Sequence, residues 1–434
     1  MYEGISLRSA PPFGVVCAFF INASVYLIIA GILFACVNFT QSFYSPQLIA
    51  LTHCFGIGFF MLMMFGALSQ MLPVLAGIRL KAPKFTTFLT LSCVNVGLIA
   101  FLWAFLASEQ SAFWLAMIML GFGVGGFALF VLVQMLQIKH FTPTIIYMII
   151  ALLALLCGLI CAELLLSSYV GLFSAPKHLV LMLCHLSLMI FAWIMLLIVG
   201  VILQVLPMFY VASSIDKKYF KIFLPLIYVV LLAFLGILFF TELEFTFFLP
   251  IIFAIIAFLT SFYAIKTLLS RRRKSIDTTM FLWFFAFYSL AFSGFFFIVS
   301  SLNDIFIGLG AIFIFFGFVC GVIFAMFYKI IPFLAWFHLS YAGVFALPNM
   351  RNIIPQRLAK FQISVFLLAF ILCFVQFLCP YFAPALNTQI LSFLCGLCFA
   401  LCGFALIIAT LKAFIIYHLG LKRQKSLQKP KLSS

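Results

Sequence analysis

Charge is scarce in this sequence. Asp and Glu together number 8 in 434 residues, and charged residues of all kinds make up 7%. A soluble domain could not surface itself with so few charges while 67% of its residues are hydrophobic. Lipid must therefore be the main solvent, and the chain reads as an all-α polytopic membrane protein. A strongly basic lead is also missing. The first apolar run starts at Phe13 and is long enough to span, so no cleavable signal peptide is expected. A secreted disulfide framework is not indicated either, because most of the thirteen cysteines lie inside apolar runs.

What is present is length in apolar runs. A spanning helix needs about 20 apolar residues. Such runs recur roughly at 13–38, 48–73, 86–107, 112–136, 143–170, 178–209, 220–240, 246–268, 279–302, 305–334, 361–384 and 389–417. Twelve transmembrane helices are expected.

The net charge of +16 sits in the connections. Arg79, Lys81 and Lys84, then Lys139, then Lys217, Lys218 and Lys221 occupy alternate loops. Arg271 to Lys274, Arg351, Arg357 and Lys360, and a tail from Lys422 to Lys431 continue the series. The other loops hold Glu109, Lys177, Glu242, Glu244 and Asp304. The positive-inside rule then places both termini, Arg8 and the basic tail at 418–434 included, in the cytoplasm. Topology accounts for the basic loops, and contact with the lipid bilayer, anionic lipid included, is an expected accompaniment. No nucleic-acid partner is expected.

One short pattern occurs three times. Gly66-Ala-Leu-Ser-Gln70-Met-Leu-Pro73 ends the second apolar run, and Gly200-Val-Ile-Leu-Gln204-Val-Leu-Pro207 ends the sixth. Ala325-Met-Phe-Tyr-Lys329-Ile-Ile-Pro332 ends the tenth. The prolines are 134 and then 125 residues apart (207 − 73 and 332 − 207). A second echo is Gly126-Phe-Ala-Leu129 against Gly403-Phe-Ala-Leu406. Three successive four-helix units are expected, at about 13–136, 143–268 and 279–417. In each, proline should stop the second helix and the small residue should admit a close neighbour.

Ionisable groups at membrane depth default to functional hypotheses. His53 is 20 residues before Pro73 and His185 is 22 before Pro207, so both occupy matching outer positions. Glu163, on the outward-running fifth helix, reaches a similar depth. Neutral imidazole suits haem iron, copper or zinc, and two facing histidines can bind one haem axially. His53, His185 and Glu163 are the candidate ligands, with Cys54 and Cys184 as soft neighbours; Met61, Met63, Met64, Met189 and Met195 add thioether groups that ordinary packing also explains. An interfacial hydrogen-bonding role explains the histidines equally well, and a satisfied neutral acid explains Glu163. Cys395, Cys398 and Cys402 share a helix face but have no histidine or acid beside them, so packing is expected. The Gly121-Phe-Gly-Val-Gly-Gly126 run has no strand before it and reads as close helix packing. His140, His338 and His418 are expected at the interface.

Twelve helices in three arcs, with His53 opening the second, resemble subunit I of the haem–copper oxidases. Thr52-His-Cys-Phe-Gly-Ile-Gly and Phe65-Gly-Ala-Leu through Pro73-Val-Leu-Ala-Gly77 are similar to the second helix of the NnrS group of haem- and copper-containing membrane proteins. Tyr328-Lys-Ile-Ile-Pro-Phe-Leu-Ala-Trp-Phe-His338 resembles bacterial proteins described as oxidase-subunit-I-like. The resemblance implies haem b or copper in a bacterial inner membrane and respiratory complex subunits as partners. It also implies respiratory support, metal or haem handling, or nitric-oxide stress response. The oxidase family further needs histidines on helices seven and ten. None lies between Ile305 and Pro332 or between Phe220 and Phe240, so a functional terminal oxidase is not expected. Two other readings stay open: a cofactor-free transporter or permease, and a structural or assembly partner of a respiratory complex.

Overall fold

The structure is a computed structural model. It describes residues 11–36, 44–73, 77–172, 177–213, 219–240, 246–272, 277–344, 347–383 and 387–428. Arg8, Val74 to Ala76, Lys217, Lys218, Glu242, Glu244, Arg273, Lys274 and the tail beyond Gln428 lie outside the described residues.

Twelve helices are long and apolar enough to cross a membrane, and no strand occurs among the described residues. They are α1 Phe13–Cys36, α2 Pro46–Met71, α3 Pro83–Ala107, α4 Gln110–Met135, α5 Pro143–Tyr169 and α6 His178–Tyr210. Then come α7 Tyr219–Leu238, α8 Phe248–Leu269, α9 Thr278–Ser301, α10 Ile305–Tyr341, α11 Gln356–Phe382 and α12 Gln389–Ser426. The protein is a multi-pass membrane protein.

Several starts are written locally. Ser45 precedes Pro46, and its hydroxyl accepts from the Leu48 amide at 3.4 Å. Thr142 does the same for Ile145 at 3.3 Å, ahead of Pro143. Capping oxygen plus proline at the first helical position satisfies or removes the amides that a helix start leaves unpaired.

The ends differ from expectation. Proline does not stop α6 or α10: α6 passes through Pro207 to Tyr210, and α10 passes through Pro332 to Tyr341. Each proline forfeits one backbone bond and is tolerated inside the helix. α12 also runs past its apolar stretch, to Ser426. The two overhangs meet at Gly420, where a Cβ would meet Leu339 Cδ2 at 2.6 Å. The extensions of α10 and α12 pack on each other.

Long π-helical stretches interrupt α2, α6 and α10, at Cys54–Met61, Ser187–Ile194 and Phe313–Val319. They end 12, 13 and 13 residues before Pro73, Pro207 and Pro332 (73 − 61, 207 − 194, 332 − 319). Such stretches are rare and concentrate at functional positions.

The chain divides into two compact units. One comprises Met1–Phe88, Asp277–Leu282 and Val322–Ser434; the other comprises Leu89–Ile276 and Trp283–Gly321. This division groups helices by contact, whereas the sequence repeat groups them by order.

In the first unit, α1 and α12 cross at glycine. A Cβ on Gly396 would meet Gly31 O at 2.2 Å, and one on Gly403 would meet Ser24 O at 2.7 Å. α2 lies on α1 through Gly58 against Tyr26 and Gly66 against Phe19 and Phe20. In the second unit, α6 lies on α5 through Gly200, whose Cβ would meet Tyr147 Cβ at 3.0 Å. The small residue of the repeated pattern thus admits a close neighbour in the two copies where it is glycine. Phe191 of α6 stacks on Phe253 of α8, with centroids 3.7 Å apart. Ser293 of α9 donates to Gly310 O of α10 at 2.8 Å.

Candidate functional site

His53 belongs to the first unit, and His185 and Glu163 belong to the second. Each place is built separately.

His53 sits on α2, immediately before the π-helical stretch Cys54–Met61. Its Nδ1 is 2.8 Å from Ile49 O, one turn earlier in the same helix. A carbonyl oxygen only accepts, so Nδ1 carries the proton and the ring lone pair is on Nε2. The next residue, Cys54, is fully buried and its thiol donates to Tyr26 O at 3.5 Å.

His185 sits on α6, two residues before the π-helical stretch Ser187–Ile194. Its Nδ1 is 2.9 Å from Gly158 O on α5. The tautomer is therefore the same as at His53, with the lone pair on Nε2. At Gly158 α6 approaches α5 closely, because a Cβ there would meet Met189 Cε at 3.1 Å and Leu188 Cβ at 3.3 Å. Met189 and His185, one turn apart on α6, both rest on that glycine.

Glu163 is five residues beyond Gly158 on α5, about 7.5 Å along the axis at ordinary helical rise. Its Oε1 is buried and has no hydrogen-bond partner among the described residues. The carboxylate faces α4, where a Cβ on Gly121 would lie 3.2 Å from Oε1. Gly121 opens the π-helical turn Gly121–Gly125. The glycine run is thus only partly helix packing. Gly123 meets Val94 and Cys93, and Gly125 meets Leu159, but Gly121 faces the acid and Gly126 meets nothing within 4 Å.

Among the described residues, no three His, Cys, Asp or Glu side chains converge as a metal-ligand set. A closed metal cage made of protein groups alone is not built there. One axial histidine with the tautomer fixed by a carbonyl is enough for haem iron, whose other ligands come from the porphyrin.

The remaining candidates fall out as follows. All thirteen cysteines are unpaired by disulfides. Cys395 and Cys402 direct their thiols to Ala369 O and Gln362 O of α11, at 3.3 and 3.6 Å, as packing groups do. His140 is exposed. His338 is not simply interfacial. It lies inside α10 among the rings of Phe13, Phe337 and Tyr417, at centroid distances of 5.9, 5.8 and 6.1 Å. The passage of α10 through Pro332 puts it there.

Two features carried no sequence signal. Asp277 precedes α9 and pairs with Lys329 at 2.8 Å. Tyr328 and Gln362 are buried with polar atoms lacking hydrogen-bond partners among the described residues. Asp277 and Lys329 are 52 residues apart in sequence, and Tyr328 and Gln362 are 34 apart (329 − 277 and 362 − 328). No family model matches this chain, and no curated protein matches it.

Proposed function

We propose that this multi-pass membrane protein binds haem b or copper near the outer leaflet, with His53 and His185 each a candidate ligand within its own unit. The observation that carries the reading is shared by both histidines. Each bonds a backbone carbonyl through Nδ1, at 2.8 Å for His53 and 2.9 Å for His185, which directs the lone pair to Nε2. Metal-ligating histidines are oriented in this way by an outer partner. The ligand set favours haem over copper, because one histidine suffices for haem whereas copper needs further protein donors. Glu163, on α5 and facing Gly121 of α4, is a carboxylate available to hold a proton. The matched register of the π-helical stretches on α2, α6 and α10 supports descent from a repeated unit. The charge pattern supports both termini in the cytoplasm, and the family resemblance supports a bacterial inner membrane. A role in respiratory support, metal or haem handling, or nitric-oxide stress follows from that chemistry, with respiratory complex subunits as partners.

The test is a visible absorption spectrum with metal analysis of the full chain purified from haem-replete cells. A Soret band that is lost or shifted in His53→Ala or His185→Ala supports the reading. Colourless, metal-free protein sinks it.

A further inference from the structure

Gln362 on α11 is 0% exposed, and neither its amide nitrogen nor its amide oxygen has a hydrogen-bond partner among the described residues. The hydroxyl of Tyr328 on α10 is in the same condition, in a residue 7% exposed. The two are level. Phe324, one turn before Tyr328, packs on Phe366, one turn after Gln362, with ring centroids 4.9 Å apart. Cys402 of α12 completes the corner. Its thiol is 3.6 Å from Gln362 O and lies close to both the Gln362 side chain and Tyr328. All three residues belong to the first unit.

Three polar atoms without partners in one apolar corner need an account. Buried amides and hydroxyls in native proteins are hydrogen-bonded, to water or a ligand where protein groups do not reach. The groups that meet here are a phenol, a carboxamide and a thiol. Together they offer donors and acceptors but no charge. An ion would lose its hydration and gain no counter-charge from them. Lys329, next to Tyr328, is engaged by Asp277. We infer that Tyr328, Gln362 and Cys402 line a buried site for a small neutral molecule that both donates and accepts hydrogen bonds. That molecule is water or a small polar solute of the alcohol or amide class. The inference does not depend on haem or copper binding.

The test is thermal unfolding of the full chain in detergent, comparing wild type, Tyr328→Phe, Gln362→Leu and the double variant. Each is measured alone and with glycerol, acetamide or acetate. Each single change should lower Tm, and the double change should lower it by less than the two combined, because both residues hold the same guest. Glycerol or acetamide raising the Tm of wild type saturably, but not that of the double variant, identifies a solute. The same non-additivity with no such rise identifies water. A saturable rise with acetate overturns the neutral class. A Tm raised by either single change means the atoms are vacant orphans and overturns the site. Strictly additive losses mean there is no shared guest and overturn it too. Tyr328→Phe removes one oxygen only, so its sign decides the matter if Gln362→Leu does not fold.

Discussion

Lys329 Nζ lies 2.8 Å from Asp277 Oδ2, joining the third copy of the repeated pattern on α10 to the start of α9. The first two copies have Gln70 and Gln204 at that position. Asp277 also caps α9, since its Oδ1 accepts from the Met280 amide at 2.8 Å and the Thr279 hydroxyl at 2.7 Å. Its side chain is about half exposed, at 52%, so water screens the ion pair and the cap is the larger contribution. Asp277→Ala should therefore cost about 1 kcal/mol, the usual worth of an N-cap. Asp277→Asn and Lys329→Gln should each cost less, because the cap survives both. Burial pushes the Asp277 carboxyl up, but the bonds from Lys329, Thr279 and Met280 outweigh it and hold the carboxyl below its ordinary 3.8. A depressed carboxyl pKa adds stability above the ordinary value and loses it as pH falls through the depressed one. Tm against pH should show that loss in wild type and a shallower one in Lys329→Gln. A steeper acid loss in the variant contradicts the assignment.

Gly126 and Gly403 begin the same four residues, yet their surroundings are opposite. A Cβ on Gly403 would meet Ile28 Cγ1 at 2.6 Å and Ser24 O at 2.7 Å, while one on Gly126 would meet nothing within 4 Å. Gly403→Ala should destabilise by about 1–3 kcal/mol through overpacking at the α1–α12 crossing. Gly126→Ala should be neutral or stabilise by up to about 1 kcal/mol, as removing a helical glycine does. Thermal or denaturant unfolding of the two variants checks the pair, and equal effects would refute it.

Those glycines also mark how far the sequence could be read. The twelve spans were legible because apolar length is a local property, and eleven of the twelve starts lie within three residues of the expected ones. Start α11 at Gln356 and the ends of α10 and α12 moved further, because loop chemistry and the Leu339–Gly420 contact set them, not hydropathy. The outer histidines were found by their rarity. The carbonyls that fix their tautomers were not, because Gly158 O is offered to His185 by tertiary packing alone. Asp277 with Lys329, and Tyr328 with Gln362, escaped for the same reason: a single sequence carries no signal for which distant residues meet.

The histidines separate fold from cofactor. His53→Leu and His185→Leu remove the neutral hydrogen bonds to Ile49 O and Gly158 O, each worth about 0.5–1.5 kcal/mol. The accepting carbonyls of Ile49 and Gly158 lie inside helices and keep their backbone donors. Both variants should therefore fold in lipid or detergent with near-native helix content by circular dichroism. In haem-replete cells each should lose or shift the Soret band. Wholesale loss of helix in either variant would mean that the imidazole is a structural group first.

Glu163 should respond with the opposite sign in cofactor-free protein. Its buried Oε1 has no hydrogen-bond partner among the described residues and presses on Gly121 of α4. Replacing an unsatisfied buried polar group with an apolar one of similar shape removes a desolvation cost. Glu163→Met should therefore raise stability by about 1 kcal/mol in protein prepared from haem-depleted cells, read as a rise in Tm. Glu163→Gln keeps the shape and the buried polar atoms, so it should change Tm little. In loaded protein both variants should alter the spectrum if the carboxyl serves the cofactor. A Tm lowered by Glu163→Met without cofactor would show that the carboxyl has a protein or water partner, and the case for a functional acid at this depth would fall with it.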